Sequence, residues 1–137
     1  MNKRFLIVED NPQLLRTVRL VFSSAFGQDA ADTANCAQDA LSMLKREHYE
    51  LVVTDLGLPG MSGVELYRAA LDFCANTNAL IPPFIFCSGV REALNKAKRE
   101  FEGPRTRFLE KPFATSRLLQ ETELLINDSK TPGILAI

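Results

Sequence analysis

A chain of 137 residues has room for one domain with a single buried core, and a second domain is not expected. With 46% hydrophobic and 24% charged residues, the protein is neither disordered nor fibrous. The net charge of -1 gives no overall attraction to nucleic acid or to a membrane surface, and no apolar stretch is long enough to cross a bilayer, so direct binding to either is not expected.

Short apolar runs and helix caps predict the first two strand–helix pairs. The run Phe5-Leu6-Ile7-Val8 predicts a strand buried on both faces, and Asn11-Pro12 after it is typical of a helix start. The apolar stripe of this first helix comprises Leu14, Leu15, Val18 and Phe22. The segment from Asp29 to Thr33 predicts a second strand. Asn35 is expected to cap a second helix, whose buried face comprises Ala37, Ala40, Leu41 and Leu44.

The third strand is predicted at Leu51-Val52-Val53-Thr54 and stops on Asp55. A loop rich in glycine and proline follows the strand, after which apolar residues again recur at helical spacing. This third helix is expected to bury Val64, Tyr67, Ala70, Leu71 and Cys74.

Pro82-Pro83 precedes the fourth predicted strand, Phe84-Ile85-Phe86-Cys87, which stops at Ser88. A more polar fourth helix is predicted from Arg91 to Phe101. The fifth strand, Arg107-Phe108-Leu109-Glu110, is followed by Lys111-Pro112. The positions that predict the last helix are Leu118, Leu119, Thr122, Leu125 and Ile126.

Five strands that alternate with five helices indicate an α/β fold, because parallel neighbouring strands need a crossover connection, which a helix supplies. We expect helices on both faces of a five-stranded parallel sheet, in one domain spanning residues 1–127. Residues 128–137 are expected to form a C-terminal tail, for which a linker remnant, a frayed end and a docked strand remain alternatives. The three cysteines are widely separated and lack metal-binding spacing, so they are expected to be small buried thiols: Cys36, Cys74 and Cys87. This cysteine usage and the absence of a leader pattern favour a cytoplasmic protein.

Four of the predicted strands stop on a chemically capable residue: Asp10, Asp55, Ser88 and Lys111. Each of these residues alone is ordinary turn material, but the carboxyl ends of parallel strands lie side by side, so the four are expected to meet in one crevice. Glu9 adds a third carboxylate, and an all-oxygen set of this kind favours Mg²⁺, with Mn²⁺ as the alternative. His48, the only histidine, falls in a predicted turn without a partner, and no role is assigned to it.

A carboxylate, an ammonium group and a hydroxyl beside a bound cation favour phosphoryl chemistry. Asp55 can act as a nucleophile toward phosphorus and so form an aspartyl phosphate. Lys111 can neutralise one phosphoryl oxygen, while the Ser88 hydroxyl can donate to a second.

The same residues carry a resemblance to a known family. The pair Glu9-Asp10, the segment TDLGLPGMSG from Thr54 to Gly63, Ser88-Gly89, and FLEKPF from Phe108 to Phe113 resemble the receiver domain of two-component response regulators. The resemblance covers roughly residues 4 to 127. It implies a flavodoxin-like fold with strand order 2-1-3-4-5, and a phosphoryl group that arrives from a histidine kinase or a histidine phosphotransfer protein.

The resemblance also implies a role for each motif residue. Asp55 corresponds to the phosphoacceptor, Asp10 to a direct metal ligand, Glu9 to a ligand acting mostly through water, and Gly57 to a ligand through its backbone carbonyl. Ser88 and Phe108 correspond to the family's switch pair. The implied readout is the face formed by the fourth helix, the fifth strand and the fifth helix, which is also a candidate homodimer contact.

Three positions depart from the family pattern. Gly57 stands where many relatives have a larger side chain, and Val90 is apolar two residues after Ser88, so neither side chain can orient an attacking water. We therefore expect slow self-dephosphorylation. Phe108 has no hydroxyl to hold its ring at the surface, and an inward ring is expected. Residues 91–117 hold eight Lys or Arg against four acidic residues, so a basic docking surface that includes Arg99 and Arg105 is one hypothesis and a solvated surface is the other.

Two other functions compete with signalling by self-phosphorylation. One is a Mg²⁺-dependent phosphatase that works through an aspartyl phosphate, but those enzymes carry a second Asp two residues after the nucleophile, and Gly57 occupies that position here. The other is a degenerate receiver that serves only as a protein-binding scaffold. Because all the key residues are present, we expect a signalling module that catalyses only its own phosphorylation and dephosphorylation, with the downstream target left open.

Overall fold

The computed structural model describes residues 4–130. Strands and helices alternate along the whole of this range, as the sequence predicts. The strands are β1 (Phe5–Val8), β2 (Ala31–Ala34), β3 (Leu51–Asp55), β4 (Phe84–Ser88) and β5 (Thr106–Glu110). The helices are α1 (Pro12–Phe26), α2 (Ala37–Arg46), α3 (Gly63–Thr77), α4 (Arg91–Phe101) and α5 (Thr115–Lys130).

All five strands are parallel and lie in the order β2-β1-β3-β4-β5, which confirms the predicted fold. The register pairs Val8 with Thr54, Asp55 with Cys87, and Ser88 with Glu110. The ends of β1, β3, β4 and β5 are therefore level with one another. A residue that follows any of these strands lies at the same edge of the sheet.

Two apolar cores lie on opposite faces of the sheet, because successive side chains of a strand point to opposite sides. Leu6 and Val8 pack beneath α2, α3 and α4, whereas Phe5 and Ile7 pack beneath α1 and α5. This arrangement explains why β1 reads as an unbroken apolar run. No helix in the described range combines the length and the apolar character needed to cross a membrane.

Several predicted boundaries and contacts were wrong in their details. The second strand begins at Ala31 rather than Asp29, because Gly27 ends α1 at φ +119° and the Ala30 amide bonds to its carbonyl, which uses residues 28–30 in a turn. Asn35 does not cap α2; Cys36 occupies the cap position and forms no side-chain cap bond. α5 continues to Lys130, and the domain span of residues 1–127 stays a prediction.

The buried face of α3 also differs from the prediction. Ala70 is buried as predicted, and Leu66, which the prediction left out, is also buried, whereas Leu71 lies at the exposed margin of the helix. The expected burial of the cysteines holds only for Cys87, since Cys36 and Cys74 are partly exposed. In α5 the predicted positions are buried except Leu119, which is half-buried. Residues 131–137, which include most of the predicted tail, lie outside the described range.

Gly63, the first residue of α3, lies against the end of β3. A Cβ atom placed on Gly63 would lie 2.3 Å from the backbone oxygen of Asp55, which is far inside van der Waals contact. The Gly63 amide also donates to the Leu56 carbonyl at 3.0 Å. A side chain at this position would force the helix away from the strand that carries Asp55.

We therefore predict that Gly63→Ala lowers the free energy of unfolding by about 2 kcal/mol, as expected for overpacking at a backbone contact. Urea denaturation followed by circular dichroism measures the change. Gly57→Ala is the matched control, because a Cβ there meets no atom within 4 Å, and its stability should stay at the wild-type value. Equal stability of the two variants would contradict the close-approach explanation.

Candidate functional site

The aligned strand ends bring three carboxylates together. Glu9 and Asp10 follow β1, Asp55 ends β3, and one carboxylate oxygen from each lies within 4.8 Å of the others. Glu9 is buried, Asp55 is half-buried and Asp10 is exposed. The group is therefore open to solvent on the Asp10 side, and its donors are all oxygens. Such a set fits the coordination chemistry of Mg²⁺ or Mn²⁺ and lacks the soft ligands that favour zinc.

Lys111 supplies the positive charge that holds these carboxylates together. Its ammonium nitrogen Nζ donates to Oε1 of Glu9 at 2.7 Å and lies 3.3 Å from Oδ2 of Asp55. Burial by itself would lower the pKa of Lys111, but the hydrogen bond to Glu9 and the charge of Asp55 outweigh it, and the pKa is raised. The lysine therefore stays charged and links β5 to β1 and β3.

Glu9 is the most buried of the three acids. Burial raises the pKa of its carboxyl, and this effect exceeds the lowering by Lys111 and by the Asn11 backbone amide, which donates to Oε2 at 3.0 Å. The Asn11 side chain meanwhile caps α1 by accepting from the amides of Gln13 and Leu14. The start of α1 thus positions Glu9, a contact that the sequence alone did not reveal.

The Asp55 carboxylate is bound on both oxygens. The Gly57 amide donates to Oδ1 at 3.3 Å, and Lys111 lies against Oδ2. The space beside Gly57 is open, since a Cβ atom added there would have no neighbour within 4 Å, and this part of the site is accessible from solvent. A held but partly exposed carboxylate is suited to attack an electrophile that approaches from outside.

Ser88 reaches the same edge of the sheet, but its hydroxyl is engaged locally. Oγ accepts from the Val90 amide at 3.0 Å, while the Ser88 backbone oxygen accepts from the Lys111 amide at 2.8 Å. Ser88 is buried, whereas Val90 is 61% exposed and begins α4 without a side-chain cap bond. The hydroxyl therefore lies beside the site, in contact with the first turn of α4.

The ring of Phe108 packs inward, which agrees with the expectation for a residue without a phenolic hydroxyl. It is half-buried and stacks on Phe86, with 5.3 Å between the ring centres and 20° between the planes. Phe86 in turn contacts Tyr67 of α3 and Phe101 of α4. One aromatic cluster therefore connects β5 to the two helices beside the site.

His48 lies at the other end of the sheet and is exposed, so the structure does not bring it to this site.

Some of the basic residues of 91–117 are ion-paired: Arg91 pairs with Glu110, and Arg107 pairs with Glu121. Lys96, Lys98 and Arg99 are exposed on α4. Because Glu92 and Glu100 are also exposed on α4, that helix carries about half of the excess positive charge noted in the sequence.

Comparison with known proteins supports the family resemblance seen in the sequence. The family model described as the response regulator receiver domain matches residues 5–123. The chain is 31% identical over 130 residues to the regulatory protein VanRB of Enterococcus faecalis, covering 94% of this chain and 54% of that protein. It is 28% identical over 127 residues to the cell cycle transcriptional regulator CtrA of Caulobacter vibrioides, covering 93% and 52% respectively. The chain thus spans about half the length of these relatives.

Solved structures support the fold. A CheY-like receiver domain protein from Methanospirillum hungatei superposes with a TM-score of 0.76 at 20% identity, covering 96% of this chain and 99% of that one. At this identity the likeness supports the architecture alone.

The Lys111 contacts generate a prediction about cation binding. The ammonium competes with a divalent cation for the same carboxylates, so Lys111→Met is expected to tighten Mg²⁺ binding about tenfold, which corresponds to roughly 1.4 kcal/mol. Isothermal titration calorimetry measures the dissociation constant. Lys96→Met, an exposed lysine on α4, is the control and should leave it unchanged. Unchanged or weaker binding by Lys111→Met would show that the ammonium does not oppose the cation.

Proposed function

The chain belongs to the response regulator receiver domain family, and from that premise we propose that it takes a phosphoryl group from a phosphohistidine onto Asp55. One observation carries the proposal: the Asp55 carboxylate lies beside the Lys111 ammonium and close to the acids Glu9 and Asp10, half-buried and open to solvent. The donor would be a histidine kinase or a histidine phosphotransfer protein. We place the protein in the cytoplasm, where such partners meet their receivers.

Glu9, Asp10, Asp55 and the carbonyl of Gly57 are the groups that would hold Mg²⁺ or Mn²⁺. When bound, the cation neutralises negative charge on the phosphoryl oxygens. The chain's own residues do the rest. Asp55 is already oriented by the Gly57 amide, so little reorganisation separates the resting carboxylate from an attacking one.

In the proposed transfer, an oxygen of Asp55 attacks the phosphorus of the phosphohistidine. A P–O bond forms as the P–N bond breaks, and the departing imidazole nitrogen keeps the electron pair and takes a proton. Lys111 lies 3.3 Å from Asp55 Oδ2, so its ammonium can contact a phosphoryl oxygen on that carboxylate without a large movement. The product is an aspartyl phosphate on the chain itself.

Ser88 and Phe108 are the residues that we propose transmit the phosphorylation of Asp55 to the rest of the fold. The Ser88 hydroxyl donates to the Val90 carbonyl oxygen at 3.3 Å, so a phosphoryl oxygen would compete with that carbonyl for the hydroxyl proton, and Val90 is the N-cap residue of α4. A movement of Val90 would shift the start of α4 and so change the face formed by α4, β5 and α5. We propose this face as the surface that binds downstream proteins or a second copy of the chain. The exposed lysines and arginine of α4 would favour an acidic partner.

Turnover of external phosphoesters is not part of the proposal. A phosphatase that uses an aspartyl phosphate needs an acid to protonate its leaving group, and Gly57 offers no side chain two residues after Asp55. The chemistry is limited to the chain's own phosphorylation and hydrolysis.

The nucleophile assignment predicts that Asp55→Asn abolishes phosphorylation. With a small acyl phosphate donor and Mg²⁺, the intact mass of the wild type should rise by one phosphoryl group, and the mass of the variant should not, because an amide cannot attack phosphorus. Asp72→Asn, on the exposed face of α3, is the matched control and should label normally. Labelling of Asp55→Asn would place the phosphoacceptor elsewhere.

The exposed Val90 side chain predicts slow hydrolysis of the phosphorylated form. Val90→Glu would supply a carboxylate able to position water, so its phosphoryl group is expected to decay about tenfold faster than that of the wild type. The decay is followed by intact mass after donor removal. Leu124→Glu, on the exposed side of α5, controls for the added charge. Equal decay rates for wild type and Val90→Glu would contradict the prediction.

A further inference from the structure

The two ends of α4 are held by contacts of different kinds. At the amino-terminal end, Val90 precedes the helix without a side-chain cap bond and is largely exposed. The Ser88 hydroxyl accepts from the Val90 amide at 3.0 Å and donates to the Val90 carbonyl at 3.3 Å. The first helical residue, Arg91, pairs with Glu110, but both side chains are exposed, and an ion pair of this kind contributes little to stability.

The first turn of α4 also places little apolar surface against the sheet. Arg91 and Glu92 are exposed and Ala93 is half-buried, and the buried residues of the helix are Leu94 and Ala97. The amino-terminal end therefore depends mainly on the hydroxyl of Ser88.

The carboxyl-terminal end of α4 is held by buried and aromatic contacts. Thr106, which is buried in β5, donates its hydroxyl hydrogen to the carbonyl of Phe101 at 2.9 Å and so satisfies the last residue of the helix. The Phe101 ring packs edge-on against Tyr67 of α3, with 4.9 Å between the ring centres, and stacks on Phe86 of β4 at 6.3 Å. This end is therefore bound to the sheet and to α3 at once.

A charged side chain of α3 adds to this attachment. Arg68 donates from Nη2 to both carboxylate oxygens of Glu100. Its guanidinium group also lies over the Phe101 ring, 5.6 Å from the ring centre. Arg68 thus contacts two consecutive residues in the last turn of α4.

We propose that α4 is hinged at its last turn. When the Ser88 hydroxyl leaves Val90, the first turns of the helix move, while the turn around Phe101 keeps its contacts with β5 and α3. Thr106 and Arg68 are the anchor residues that position this hinge. The helix acts as a lever whose free end lies beside the candidate site.

The hinge deepens the proposed function, on which it rests for its input, because a phosphoryl group on Asp55 would draw the Ser88 hydroxyl away from Val90. It also divides the proposed docking face. Glu92 and Lys96 are exposed on the half of α4 that moves, whereas Arg99 is exposed on the half that stays. A partner that distinguishes the two forms would therefore contact the moving half.

Amide hydrogen exchange of the unphosphorylated full chain, measured by NMR, tests the hinge without relying on phosphotransfer. Ser88→Ala removes the hydroxyl that binds Val90. The exchange rates of the amides of residues 94–96 are expected to rise about tenfold, because the first turns open more often. The rates of residues 99–101 should stay within about twofold of the wild type, because the last turn remains bound.

The anchor residues are tested by combining variants. In a Thr106→Val background, Ser88→Ala is expected to raise exchange about tenfold along the whole of α4, because the last turn is no longer held. Arg68→Met, at an exposed position that tolerates replacement if Thr106→Val does not fold, should spread the effect in the same way. Thr122→Val is the matched control, because its buried hydroxyl binds the Leu118 carbonyl in α5, and it should leave the effect confined to residues 94–96.

The outcomes decide the proposal in either direction. An equal rise along α4 in the single variant Ser88→Ala, or no rise at residues 94–96, would overturn the hinge. A rise that stays confined to residues 94–96 in both anchor backgrounds would also overturn it. If the wild type gains no phosphoryl group in the mass assay, the proposed function fails, but the exchange pattern still decides whether α4 is hinged.

Discussion

The contact between the Lys111 ammonium and the carboxylates of Glu9 and Asp55 is the interaction on which the site depends. It joins residues 102 positions apart along the chain, and it does so at the one edge where β1, β3 and β5 end level with one another. Three acids within 4.8 Å would otherwise repel each other in a partly buried space. In the proposed transfer the same ammonium would contact a phosphoryl oxygen, so one side chain would serve both the stability of the resting site and its chemistry.

Much of the fold could be predicted from the sequence, because apolar runs and turn residues mark strands that are buried on both faces. β1 was predicted at its observed limits, and α4 likewise, since the patterns there are unambiguous. β2 was shifted because a glycine turn, closed by a backbone hydrogen bond, used residues that also suit a strand. Leu66 was missed because helical spacing alone does not say which of two adjacent stripes faces the sheet. Such choices are made by tertiary packing, which one-dimensional patterns do not contain.

The candidate site was predictable as a set of residues but not as a set of bonds. Strand ends indicated which side chains would meet, and the family resemblance assigned them roles. Neither could say that the Ser88 hydroxyl binds the Val90 amide, that the Asn11 amide supports Glu9, or that Gly63 lies against the Asp55 carbonyl. These contacts depend on loop conformations of a few residues. The stacking of Phe108 on Phe86 is similar: the missing hydroxyl indicated an inward ring, but the aromatic partners on α3 and α4 came only with the packed core.

Cys87, in β4 one residue before Ser88, is buried in the layer between the sheet and α1 and α5. Burial raises the pKa of its thiol to about 12, so the protein in its closed form presents no thiolate there. The thiol is covered by the packing of α1 and α5 on this face of the sheet, so a reagent reaches it only when that packing opens. The alkylation rate of Cys87 therefore measures how often this layer opens, one residue from Ser88.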